Sequence, residues 1–309
     1  MGTDVEMRAA EAVTARAMRS PAAGIALWAL KTAALWVALL AGSMAAFKLV
    51  PIDLPAPKED GPLTVMQAFL MVNGLIAVAL SFVAVRARVA DWRLGVLLFV
   101  AFFAIGSVMM QIETLYFNDS LKLPLAAIFA LVEQAAIVGA VVALVGALLF
   151  RHADETIMPV PSGLAGRVIL LAVVYVFLYY GAGFFIAWQS EAVRTYYDNG
   201  AHIALLPTIA LQLVRGTLWA LIALFIVTRL GGSLACRAGI MGVLFAVLTA
   251  AQLLYPTPHF PWAVREAHLL EVGSSEFVYG IVATLILLAG AARRPLSATS
   301  SWRLIAGHA

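Results

Sequence analysis

Eight stretches of this chain stay apolar for about 20 residues, the length a helix needs to cross a hydrocarbon core of about 30 Å, and nothing else constrains the fold as much. They fall near 24–47, 63–85, 94–112, 124–150, 168–188, 205–228, 234–254 and 268–292. Lipid offers backbone groups no hydrogen-bond partners, so runs of this length predict helices that satisfy themselves. The expected fold class is all-α: a polytopic membrane helix bundle of about eight transmembrane helices. Composition agrees, with 63% of the 309 residues hydrophobic and 12% charged, against about 25% charged in a soluble domain.

Basic residues divide unevenly between the connections. Arg8, Arg16, Arg19, Arg86, Arg88, Arg93, Arg151, Arg167, Arg229, Arg237, Arg293, Arg294 and Arg303 all fall on one side of an eight-span chain. Lys48, Lys58, Lys122, Arg194 and Arg265 fall on the other, with Lys31 and Arg215 inside spans. By the positive-inside rule this predicts a bacterial cytoplasmic (inner) membrane protein with both termini cytoplasmic. The expected organisation is a cytoplasmic tail over 1–22, one membrane domain over 23–292 and a second cytoplasmic tail over 293–309. Asp4, Glu6 and Glu11 interrupt the amino terminus, so the first apolar run reads as a retained anchor rather than a cleaved signal. The net charge of +3 is accounted for by these connections, and no basic cluster suggests a nucleic-acid partner. A single cysteine, Cys236, excludes a disulfide within the chain and a cysteine-based metal site.

The densest set of reactive side chains lies in 261–280, PWAVREAHLLEVGSSEFVYG. A helix through it places Arg265, His268, Glu271, Ser275, Glu276 and Tyr279 within an arc of about 140°, with Leu270, Gly273 and Phe277 opposite. Counting from Pro261 to Ala292 gives about 48 Å of helix, more than a membrane core needs. That helix is therefore expected to start outside the bilayer or to break near Gly273. A weak echo relates the hairpin of spans three and four to that of five and six, with Gln111-Ile-Glu113 matching Gln189-Ser-Glu191 and Leu123-Pro124 matching Leu206-Pro207.

Depth follows from counting helical residues from the basic connections. Glu133, Glu276, Gln212, Gln252 and Arg215 come out about 21 to 27 Å away, all in the outer half of the membrane. A charge there is costly against lipid, so these groups are expected to face one another or water. Arg215 with Glu133 or Glu276 reads either as a structural ion pair or as a cation for a ligand. The expected ligand-binding set is Arg215, Glu133, Glu276, Gln212, Gln252 and Arg265. His268 and Glu271 have a three-residue spacing compatible with metal ligands on one helix face, and Glu191 and Glu113 are acids whose helix ends emerge on the same side. Their bland readings are an interfacial hydrogen-bonded histidine, an Arg194 salt bridge for Glu191 and a solvated loop acid for Glu113. No cofactor is required by the sequence, although a divalent metal is compatible with it. H-E-x-x-H, P-loop and G-x-S-x-G elements are absent.

The leading expectation is a polar cavity open to the non-cytoplasmic side that binds or passes a small anionic or amphiphilic molecule, with membrane lipids as surroundings. A membrane-embedded hydrolase or transferase, and a non-catalytic subunit covered by another membrane protein, are the alternatives from other classes.

Overall fold

A computed structural model describes residues 21–151, 155–198 and 204–290. The expected tails and their six arginines lie outside the described residues, except that positions 21 and 22 of the first tail already belong to a helix. The helices are α1 (Pro21–Leu49), α2 (Val65–Arg86), α3 (Asp91–Tyr116), α4 (Leu125–Leu149), α5 (Leu164–Phe185), α6 (Glu191–Asp198), α7 (Leu205–Val227), α8 (Leu234–Ala250) and α9 (Trp262–Leu288). All but the short α6 belong to spans long and apolar enough to cross a membrane, and no strand occurs among the described residues. The chain is a multi-pass, all-α membrane protein. Outward-facing side chains such as Phe177 and Leu206 are more than 70% exposed, a surface suited to lipid.

Span boundaries match the expectation at most ends and differ where polar residues extend a helix. α3 continues four residues past position 112, and α9 starts at Trp262 and runs unbroken through Gly273. Of the two expected alternatives for the long last helix, the extended one is observed. At 27 residues it is about 40 Å long.

Packing runs from α1 to α2, α8, α9, α5, α7, α3 and α4, and back to α1. Glycine decides two of these approaches. A Cβ at Gly280 would sit 2.5 Å from the Met241 carbonyl oxygen, so α9 meets α8 backbone to backbone. A Cβ at Gly216 would lie 2.8 Å from Ala172 Cα, which pins α7 to α5. Lipid tails provide no hydrophobic drive between helices, so close approach at small residues carries the dispersion energy that holds them.

The basic end of the bundle is tied by arginine to helix ends. Arg167, at the start of α5, forks onto the carbonyls of Ile286 and Ala289 at the end of α9, the second at 2.9 Å. Arg88 donates to Thr156 O at 2.9 Å, and the backbone at Arg88 and Gly231 bridges the α2–α3 and α7–α8 connections. Cations at helix C-termini complement the carbonyl ends of the dipole.

Candidate functional site

At the end of the bundle away from the arginine ties, α3, α5, α7, α8 and α9 enclose a cavity of about 700 Å³. Its floor is aromatic. Tyr175, Trp219, Phe245 and Tyr279, one each from α5, α7, α8 and α9, form a closed set of ring contacts with centroids 4.9 to 6.4 Å apart. The Tyr279 hydroxyl donates to Gly216 O at 3.2 Å, so the tight α5–α7 crossing and the floor are one construction. Beyond this crossing both helices line the cavity, α5 through Tyr179, Gly183 and Phe184 and α7 through Thr208 and Arg215. Exposed Phe184, Trp188 and Asp198 bring its mouth to the surface.

Just above the floor sits the buried cation. Arg215 is 2% exposed and donates to Glu113 Oε2 at 2.8 Å, to Gln212 Oε1 at 2.8 Å and to Met109 O at 3.4 Å. Its guanidinium carbon lies 5.7 Å from the Tyr175 ring centroid. The expected pairing with Glu133 or Glu276 is thus corrected to Glu113. The reason lies in α3, whose residues Ala101–Val108 form a π-helix. A wider turn displaces the following residues around the axis, so Met109–Tyr116 continues with a face that an unbroken α-helix would not present there. Gln252 does not reach the cavity: its Nε2 donates to Gly106 O at 2.5 Å and to Leu248 O, bracing the widened turn.

Glu133 is also corrected. It is exposed on the surface of α4 and faces away from the cavity. The neighbouring Gln134 turns inward instead and donates to Val50 O at 2.7 Å. Glu276 does line the cavity and is 5% exposed, and its Oε2 has no hydrogen-bond partner among the described residues.

At the mouth, α9 presents His268 and Glu271. Nδ1 of His268 is 2.6 Å from Glu271 Oε2, and its Nε2 is 3.3 Å from the Tyr197 hydroxyl on α6. With Nδ1–H donating to the carboxylate, the second nitrogen of a neutral ring accepts from Tyr197. Burial first, and then the negative charges of Glu113 and Glu271, push the Tyr197 hydroxyl well above its ordinary range and keep it a donor. Gly183 makes room here, since a Cβ would lie 3.4 Å from Glu271 Oε1. Glu191 is exposed at the start of α6 and does not line the cavity. Among the described residues, no group of three or more histidine, cysteine or acidic side chains is arranged to hold a metal ion.

Arg265 shares the polar face of α9 but serves a latch beside the cavity. It is 1% exposed and donates to Asp60 Oδ1 at 2.5 Å and to the carbonyls of Phe260 and Tyr255 at 3.0 and 2.7 Å. Asp60 Oδ2 also accepts the Trp262 backbone N–H at 2.8 Å, an acid placed on the first free donor of a helix. Burial works against the Asp60 carboxylate, but the Trp262 N–H and the Arg265 guanidinium outweigh it and hold the acid below its ordinary value.

Sequence reasoning therefore located α9 and Arg215 but missed Tyr197, Tyr175 and Asp60. The acidic, proline-rich first loop was the only available signal for Asp60. The chain matches no protein-family model, no curated protein and no solved structure.

Proposed function

We propose that this protein binds an amphiphilic small molecule in the cavity, from the non-cytoplasmic side of a bacterial inner membrane. The observation that carries this reading is a half-open chamber of about 700 Å³ with apolar walls and a buried polar group just above an aromatic floor. Ligand sites are typically concave, mostly apolar and furnished with a few convergent polar groups. The packed quartet below the chamber favours holding a ligand over conducting it. Arg215 is already engaged by Glu113, so the cation once expected to take an anionic ligand is not free to do so.

Lipid and metabolite extraction of the purified protein should release a stoichiometric amphiphile. Ser275→Trp, which fills the cavity, should abolish its recovery with the elution profile unchanged. A protein that carries no amphiphile and binds none added would overturn the reading. Sidedness rests on the arginine distribution. In a Cys236→Ser background, cysteines at Lys58 and Asp119 should react with an impermeant thiol reagent outside intact cells, and cysteines at Glu155 and Val160 should not. The reverse pattern inverts the orientation.

The Glu271–His268–Tyr197 chain favours a second reading, a membrane-embedded enzyme. A carboxylate-held imidazole beside a hydroxyl can take a proton from, or return it to, a bound molecule. On this reading His268→Gln and Tyr197→Phe keep binding and lose turnover, whereas in a pure binding protein neither produces a chemical change in the ligand.

A further inference from the structure

The charged groups that line the cavity do not balance. Glu113 faces Arg215 at 2.8 Å, Glu271 holds the His268 imidazole at 2.6 Å and Asp198 lies exposed at the mouth, which leaves Glu276 as the buried acid with no cation within ion-pair distance among the described residues. Its Oε2 is buried and has no donor among the described residues. A buried carboxylate oxygen left unsatisfied is costly, and such groups in native proteins call for an explanation such as an unseen ligand. The surroundings narrow what the missing partner is. Tyr175 and Tyr279 line the same floor, and an aromatic face attracts a cation. A carboxylate ligand would add a fifth acid to a cavity lined by Glu113, Asp198, Glu271 and Glu276. An alcohol would supply one donor and no charge, whereas a protonated amine supplies both a charge and several N–H donors.

We propose that the ligand of this cavity is an amphiphilic amine whose protonated primary or secondary nitrogen donates to the Glu276 carboxylate. The inference rests on the amphiphile-binding reading above. Glu276 lies eight residues beyond His268 in α9, about 12 Å deeper along the axis. The head therefore sits at the floor, and the apolar tail runs toward the mouth past Val272, Leu178, Leu253 and Phe184.

The test is a set of single-chain probes of equal length, decylamine, decanol, decanoate and decyltrimethylammonium. Each is titrated at neutral pH into the detergent-purified full chain and followed by native mass spectrometry. Decylamine should bind about tenfold or more tighter than decanol, the factor expected of one charge-assisted hydrogen bond. It should also bind tighter than decyltrimethylammonium, which carries the charge but cannot donate. In Glu276→Gln the amine should fall to the level of the alcohol, with alcohol binding unchanged. The wild-type probe series decides by itself if that variant does not fold. Equal binding of amine and alcohol, equal binding of the primary and quaternary amines, or preference for decanoate overturns the amine assignment and leaves the binding site standing. Binding of none of the four overturns the amphiphile site itself.

Discussion

Replacing Glu113 by glutamine strands the Arg215 guanidinium in the bundle, and the cost can be worked from the geometry. At 2.8 Å, and at an effective dielectric of about 20, two unit charges attract by about 6 kcal/mol before desolvation is charged against them. The side chains are unequally buried, 3% exposed for Arg215 and 25% for Glu113. Most of the desolvation therefore falls on the arginine. Breaking a buried pair costs about 3 to 5 kcal/mol, and Glu113→Gln belongs at the low end because Gln212 and Met109 still accept from Arg215. Arg215→Met leaves an acid that borders the cavity and can be hydrated there, so its cost is about 1 to 2 kcal/mol. The double variant should resemble Arg215→Met alone, which makes the coupling about 3 kcal/mol, the whole cost of Glu113→Gln. Thermal midpoints followed by fluorescence-detected size exclusion measure all three. Glu133→Gln is the control and should change stability by less than about 0.5 kcal/mol. The reasoning is refuted if Glu113→Gln is neutral, or if Glu133→Gln or Glu276→Gln destabilises as much and is rescued by Arg215→Met.

The latch between the α1–α2 loop and α9 gives a pH dependence. Asp60 is held below its ordinary value of 3.8, so its contribution is complete above the usual carboxylate range and is lost as pH falls through the lowered value. Asp60→Asn should therefore be less stable than wild type at neutral pH, with the gap closing in strong acid; a gap that does not vary with pH would count against the latch. Gly280→Ala places a methyl group 2.5 Å from Met241 O and should cost about 1 to 3 kcal/mol as α8 and α9 part. Gly273→Ala meets only Ala250 Cβ at 3.5 Å and should be neutral or stabilising, and an equal loss from both variants would show that close approach is not what Gly280 provides.

Hydropathy made the eight spans legible because lipid imposes one length and one periodicity on everything that crosses it. Position along each helix was legible too, since rise per residue is fixed. Direction around the axis was not. α4 is apolar on all sides, so nothing in its sequence distinguishes Glu133 from Gln134, its neighbour about 100° away. Glu113 was hidden by a different cause. The π-helix of α3 leaves no mark in AFFAIGSV that an ordinary apolar helix would lack, yet it sets which face the next two turns present. The polar face of α9 could be read because its acids and histidine recur at helical spacing along an otherwise apolar segment, and that pattern brought His268, Glu271, Ser275, Glu276 and Tyr279 to one cavity. Tyr197 had no such pattern, since it arrives from a separate short helix.

The four-ring floor also separates two mechanical regimes. On its far side the bundle is filled by fully buried residues such as Leu80, Ala223, Leu244 and Leu287, and helix ends are tied by arginine. On its near side α5 and α7 stand apart around empty volume. On the proposed binding reading, the near half is free to breathe as a guest enters or leaves while the ring contacts below it stay closed. Occupancy of the near half and permeability of the far half are then set by separate contacts.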